Sequence, residues 1–348
     1  MAYTTINKST DFFNIKLWTG NASARSITGV GFQPDFVWTK RRDSAGWHYL
    51  QDAVRGAANT IYSNATNIQT SSGTGGVTSF DSDGFSIGTY LDINANGGTY
   101  VGWNWKANGQ GSANNDGSIN TTYTSANTTA GISIVKYTGN GSVSTVGHGL
   151  GVAPKLIIVK RLTGGTEAWP VDCRAASGIM YLNETGALGS YGDSSPFPST
   201  APTTSVFSIG TANNANANGS DFVAYCFAEK KGFSKIGTYS GNGNASGSFI
   251  YTGFKPAFAI VKCTSHSGES WWMGDNKRPG FNVSQKALLA ENSAAEVDAS
   301  YQAVDFLSNG IKWRGTNDRV NASGKTYTYI AFAEAPLVGS NNIPATAR

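Results

Sequence analysis

Short apolar runs bounded by turn residues carry the hydrophobic pattern of this chain. Phe36-Val37-Trp38, Leu156-Ile157-Ile158-Val159 and Phe258-Ala259-Ile260-Val261 each stand behind a proline (Pro34, Pro154, Pro256) and each lead to a lysine (Lys40, Lys160, Lys262). Continuous apolar runs this short, flanked by Pro and Gly, predict strands buried on both faces. Upstream of each, an aromatic residue, Thr or Ser, and Gly open a short strand that ends in a Gly-Asn or Gly-Asn-Gly turn: Trp18 to Asn21, Tyr137 to Gly141 and Tyr239 to Gly243. Such turns need positive φ and close hairpins. Downstream, loops at Asn96-Gly97-Gly98, Asn218-Gly219-Ser220 and Ser323-Gly324 lead into closing strands that begin at Tyr100, Phe222 and Tyr327. Aligning these strands sets Val101, Trp103 and Trp105 against Val223, Tyr225 and Phe227, and against Thr328, Ile330 and Phe332. Alternation at period two sends all of them to one face, which predicts core.

The same order therefore occurs three times, with a period of about 110 residues. The pattern predicts an all-β fold: three tandem antiparallel β-sandwich repeats of jelly-roll or lectin-like type with very little helix. The repeats are expected at residues 1–107, 132–231 and 232–336. Residues 108–131, rich in Gly, Ser, Asn and Thr, have the composition of a flexible spacer, whereas Ala228 to Gly232 leaves almost no slack between the second and third repeats. Residues 337–348 predict an extended C-terminal arm able to lie on a neighbour. Only Ser284 to Ala295 has enough Ala, Leu, Gln and Lys to suggest a helical turn or two.

Composition strengthens the strand reading. Only 14% of the residues are charged and Gly, Asn and Thr are abundant, which is poor material for long helices. Nine Trp exclude a disordered chain, because they supply the apolar surface that offsets ordering entropy. A net charge of +4, with no Lys/Arg run longer than three, is too weak a field to predict a nucleic-acid partner. No apolar stretch approaches the roughly 20 residues of a membrane span, so no membrane insertion is expected. Met1 to Thr5 shows neither a basic leader nor an apolar segment, so no secretory signal is expected. Cys173, Cys226 and Cys263 are odd in number and unrelated in spacing, which predicts free thiols and production in a reducing cytoplasm.

Candidate chemistry is sparse. Asp81-Ser82-Asp83-Gly84 begins like a calcium loop but lacks the third acid and the closing Glu, so a turn is expected and no metal. His48, His148 and His266 are too far apart for a local metal pair. Neither a nucleophile elbow nor a phosphate loop occurs, and no cofactor is expected. Carboxylate pairs of the glycosidase kind leave no spacing signature, so a carbohydrate-active enzyme stays open as an alternative to a non-enzymatic protein. An acid followed by a base recurs behind each hairpin, Asp52 with Arg55, Asp172 with Arg174 and Asp275 with Arg278, and predicts structural ion pairs. Sugar rings stack on exposed aromatic faces. Trp47, His48 and Tyr49 are consecutive, as are Trp271 and Trp272, so alternation should turn at least one of each set outward. With Trp169 these are the candidate glycan or receptor contacts, and the competing expectation is that they are hairpin residues packing on a neighbouring domain.

Gly31-Phe32-Gln33-Pro34-Asp35-Phe36-Val37-Trp38, Phe80-Asp81-Ser82-Asp83-Gly84-Phe85, the run Gly219 to Lys230 and the run Ala331 to Gly339 resemble the repeat domain of tail-fibre-like virion structural proteins of marine tailed phages. The similarity covers nearly the whole chain. It implies a virion surface protein, a tail fibre or adhesin, probing a host surface glycan or envelope protein, made in the host cytoplasm, partnered with other virion proteins and assembled as a homotrimer. The resemblance carries no catalytic residues. The chain reaches Trp18 of its first repeat early, without an evident tail-anchoring segment, which leaves a capsid decoration or head-fibre protein as the alternative placement.

Overall fold

The computed structural model describes residues 4–338, and it is almost wholly antiparallel β. Each repeat contributes one six-stranded sheet. In the first, the opening strand Phe13–Thr19 pairs with the closing strand Thr99–Trp105, and then follow Phe36–Arg41, Tyr49–Asp52, Asn59–Tyr62 and Thr70–Ser71. The second repeats this order with Ile132–Thr138, Asp221–Phe227, Leu156–Arg161, Pro170–Cys173 and Gly178–Tyr181, and the third with Ser234–Ser240, Thr326–Pro336, Phe254–Cys263, Trp272–Asp275 and Lys286–Leu289. Registers coincide: Phe36 pairs with Trp105, Leu156 with Phe227 and Phe258 with Phe332.

A small sheet of two or three strands covers the outer face of each large one: Arg25–Thr28 with Gly84–Ile87 and Val77–Asp81, Ser144–Gly147 with Val206–Ile209, and Phe249–Tyr251 with Gly310–Trp313 and Val304–Leu307. Between the layers lie stacked cross-strand pairs at one shared position, Trp18 on Tyr100 (5.5 Å), Tyr137 on Phe222 (5.3 Å) and Tyr239 on Tyr327 (4.9 Å). The glycine that ends each opening strand is required there. A Cβ on Gly20, Gly139 or Gly241 would fall 2.1, 2.6 or 2.2 Å from the carbonyl oxygen of Ala95, Ala217 or Ala322.

The inner faces of the three large sheets meet one another. Phe36 stacks on Tyr225 (4.5 Å), Phe227 packs on Phe332 (5.8 Å), and Phe13 and Trp103 reach Phe332 (5.2 Å) and Phe258 (5.2 Å), so every repeat touches both others in one apolar cluster. The repeats thus close into a ring about a filled pseudo-threefold axis. Trp103 and Trp105 lie in that shared core, as their alternation predicts.

The same polar seam is built at each junction of the ring. Lys40, Lys160 and Lys262 are fully buried. Lys160 Nζ donates to Thr66 O of the first repeat (2.9 Å), Lys262 Nζ to Thr185 O of the second (3.1 Å), and Lys40 Nζ to Ser293 O of the third (3.2 Å). Each lysine also donates, at 2.7 Å, to a carbonyl of its own hairpin, Arg41, Glu167 or Glu269. Those neighbouring-repeat carbonyls accept a backbone N–H too, from Glu167, Gly268 and Gly46, and three residues on, Gln69, Leu188 and Glu296 donate back across the seam to Leu162, Thr264 and Arg42.

Two sequence expectations are corrected. Residues 108–131 are not a slack spacer. Tyr123–Asn127 forms the sixth strand of the second large sheet, and Ile119 bridges to Val146 on the small one. Thr and Tyr suit a pleated surface, and sheet edges offered this polar segment backbone partners that composition does not register. Ser284 to Ala295 forms no helical turn; Lys286–Leu289 is a strand, because Ala287 and Leu288 are buried against the neighbouring strand Trp272–Asp275, and packing overrides propensity. Of the expected arm 337–348, only Leu337 and Val338 lie within the described residues.

Burial holds Lys160 at about 7 against 10.5 for a free lysine, and the opposing charge of Glu167 does not cancel it. Between those values the unfolded chain binds more protons than the folded one, so this lysine adds stability as pH rises. Urea midpoints of the parent and Lys160→Met, compared at pH 7 and pH 9.5, should move in the parent's favour at the higher pH. A pH-independent difference would show that Lys160 is not held in this state.

Candidate functional site

The hairpin after each lysine holds the candidate binding aromatics, and most of them are structural instead, with Trp169 and Trp271 bonded to a neighbouring repeat as the competing expectation has it. His48, Tyr49, Trp169, Trp271 and Trp272 are all buried. The expectation that alternation must expose one of two consecutive residues assumes a sheet with one wet face. These sheets are middle layers, covered outside by the small sheet and inside by the shared core, so both of Trp271 and Trp272 face protein.

Register also shifts one assignment. His48, not Trp47, occupies the place of Trp169 and Trp271: the three backbone N–H groups donate to Asn64 Oδ1 (2.9 Å), Asn183 Oδ1 (2.7 Å) and Glu291 Oε2 (3.0 Å). Both indoles cross a seam, Trp169 Nε1 to Ala65 O (3.0 Å) and Trp271 Nε1 to Tyr181 O (2.9 Å). His48 Nδ1 accepts from Trp38 Nε1 (2.9 Å), and burial, followed by the charge of Lys40, keeps its imidazole neutral.

Trp47 is the exception, with 38% of its surface exposed. Its ring stands edge-on to Tyr62 (4.5 Å), which in turn meets Tyr49 (5.0 Å). Asp92, at the four-residue helix Leu91–Asn94, turns Oδ2 to Trp47 N (3.4 Å) and the Tyr49 hydroxyl (3.3 Å). The preceding Tyr90 and Leu91 are exposed. Trp47 is replaced by Ala168 and Ser270 in the other repeats, so this solvent-facing aromatic with a carboxylate beside it belongs to the first repeat alone. Such a site can stack a ring and accept hydrogen bonds from hydroxyls.

The three expected ion pairs form, though not as equivalents. Asp52 with Arg55 and Asp275 with Arg278 are buried pairs at 2.6 Å on the inner face, and each acid also takes a donor from the neighbouring repeat: the Tyr225 hydroxyl (2.7 Å) and Trp103 Nε1 (3.1 Å) respectively. In the second repeat the matching register position is Cys173, since it pairs with Leu156 as Asp52 does with Phe36. Ala176 stands where the other repeats have arginine, and Ile330 replaces Trp103 and Tyr225 on the neighbouring closing strand. Cys173 Sγ lies 3.0 Å from Thr328 Oγ1 instead. The acid and its arginine occur only where the neighbour supplies a hydrogen-bond donor. Asp172 is one residue out of step and points to the outer face, where it meets Arg174 (2.8 Å) and the Tyr191 hydroxyl (2.8 Å).

One set of residues escaped sequence reasoning. Asn94, Asn216 and Asn321 are fully buried, and each carboxamide ties the turn after the opening strand to the closing loop. Asn94 Nδ2 donates to Ser23 O and Gly88 O while Oδ1 accepts from Asn21 N; Asn216 and Asn321 repeat the arrangement at Ser142, Gly210 and Asn140, and at Asn244, Gly315 and Asn242. The signal was the recurring Asn-Ala-Asn/Ser-Gly at 94–97, 216–219 and 321–324.

No group of three or more metal-ligating side chains occurs among the described residues. Asp83 accepts from Gly29 N and Gly31 N, and Asp81 from Ser79 and Ser86, so these acids serve the turn. A void of about 20 Å³ on the pseudo-threefold axis is wholly apolar and has room for about one water, too little for a ligand. The sequence profile of a family described as a domain of unknown function (DUF7483) matches residues 8–336. No curated protein sequence matches the chain.

Two outcomes are expected from this geometry. Trp271→Ala should cost about 3–5 kcal/mol in urea unfolding, whereas Trp47→Ala should stay within about 1 kcal/mol of the parent. Asp52→Ala, which leaves the buried Arg55 without its counter-charge and the Tyr225 hydroxyl without its acceptor, should cost about 3–5 kcal/mol. The quadruple variant Asp52→Cys, Arg55→Ala, Val223→Thr, Tyr225→Ile copies the Cys173 arrangement, its threonine included, and should lose less than the single one; an equal or larger loss would refute the pairing rule.

Proposed function

Because the chain belongs to the DUF7483 family, whose name assigns no activity, we propose its function from its own residues: a non-enzymatic phage virion surface protein, a tail fibre or adhesin that holds a host surface glycan. The observation that carries this reading is Trp47, an exposed tryptophan braced by Tyr62 and flanked by Asp92 in a chain that buries its other hairpin tryptophans. Leaving indole surface in water costs burial free energy, and a ligand that stacks on it recovers that energy. The resemblance of the repeats to tail-fibre-like proteins supports the virion setting. A homotrimer of the fibre-like kind would present the single Trp47 site of each chain three times.

Antibody against the protein should label the virion tail, and purified protein should compete with virions for adsorption to host cells while Trp47→Ala does not. Labelling confined to the capsid shell would favour a decoration protein, and undiminished competition by Trp47→Ala would sink the glycan platform.

A further inference from the structure

The third repeat holds an exposed aromatic that the hairpin site does not account for. Phe281 is 74% exposed, the highest value of any large apolar side chain among the described residues. Its neighbours are pinned. Asn282 Nδ2 donates to Phe306 O (3.0 Å), Phe306 N donates to Asn282 Oδ1 (3.0 Å), and Ser284 and Val304 exchange backbone hydrogen bonds at 2.8 Å. Phe281 is therefore presented outward by an anchored backbone, and ordering it for a ligand costs little further entropy.

Beside it opens a cleft of about 320 Å³ lined by Lys255, Asn276, Lys277, Phe306 and Glu334. Lys255 Nζ lies 2.6 Å and Lys277 Nζ 3.1 Å from the two oxygens of Glu334. Partial burial works against the Glu334 carboxylate, yet the two ammonium groups outweigh it and hold the acid below its ordinary range. Two cations sharing one anion leave a surplus positive charge at the cleft. Asn276 Oδ1 has no hydrogen-bond partner among the described residues. Lys277 is particular to this repeat, because Val54 and Ala175 occupy its register position in the other two; Glu229, the counterpart of Glu334, is also shared by two lysines, Lys155 and Lys235, but neither stands at that position.

An open polar cleft of sugar-ring size, an aromatic face at its rim and one uncompensated positive charge together select a ligand with a flat apolar face, hydroxyls and an anionic group. We propose that this cleft is a second binding site, separate from Trp47, for an acidic saccharide whose ring stacks on Phe281 and whose anionic group meets Lys255 and Lys277. The choice of a saccharide rests on the reading given above, whereas the cleft and its charge do not.

Calorimetric titration of the purified full chain tests this with three probes: an oligogalacturonate, a sulfated oligosaccharide of equal charge, and neutral maltohexaose. At least one acidic probe should bind about tenfold more tightly than maltohexaose. Phe281→Ala and Lys277→Gln, both at exposed positions, should each weaken that binding about tenfold, and Trp47→Ala should leave it unchanged. Preference for the carboxylated or the sulfated probe identifies the anionic group, and either supports the site. Equal affinity for the neutral probe, no binding of either acidic probe, or loss through Trp47→Ala but not Phe281→Ala would overturn it. The titration needs no virion, so failure of the virion reading and failure of this site are separate results.

Discussion

A large sheet whose strands are apolar on both faces has to bury both, and one small sheet can cover only one of them. In each repeat the outer face closes over the stacked pair at Trp18 and Tyr100 or its counterparts, and the inner face, with Phe36, Trp103 and Trp105 in the first repeat, would stand in water if that repeat were alone. Apolar patches of that extent are rare on the surface of isolated domains. Three inner faces turned toward one another solve this within one chain. The triplication is thus a condition of the core, and multiplied presentation is secondary to it.

Apolar packing is undirected, so the polar seams set how the three sheets meet. Each buried lysine reaches a carbonyl of the preceding repeat, and because the third repeat's acceptor serves the first repeat's lysine, the contacts close on themselves. The buried acids follow the same logic with greater selectivity. Asp52 and Asp275 lie opposite a tyrosine hydroxyl and an indole N–H, while the position facing Ile330 holds a cysteine, with alanine in place of the arginine. A buried charge without a full set of partners is costly. The acid and the arginine therefore occur together or not at all, and the repeats are alike in backbone but individual at their junctions.

That individuality extends to the surface. Trp47 has no aromatic counterpart in the other repeats, and Lys277, beside the Phe281 cleft, is replaced by Val54 and Ala175. A threefold scaffold here carries unlike faces. On the function proposed above, recognition is asymmetric on a symmetric support.

Much of this was legible from residue order. The Pro-led runs, the closing aromatics and the Gly-containing loops are local signals, and they located the repeats, the strands and the inward direction of Trp103 and Trp105. The recurring Asn-Ala-Asn/Ser-Gly was equally visible, although its role as a clamp needs the distant turn it binds. What residue order left open was whether Trp169, Trp271 and Trp272 pack on a neighbouring repeat or meet solvent, and what it did not convey was the order in residues 108–131. Alternation tells which side of a strand a residue occupies, and only the packing of sheets tells whether that side is wet. Residue order alone determined the all-β class and the threefold plan, because strand pattern and turn chemistry act over a few residues. Tertiary structure alone decided which aromatics meet solvent and which acids need a partner, because burial depends on what another repeat brings to the same place.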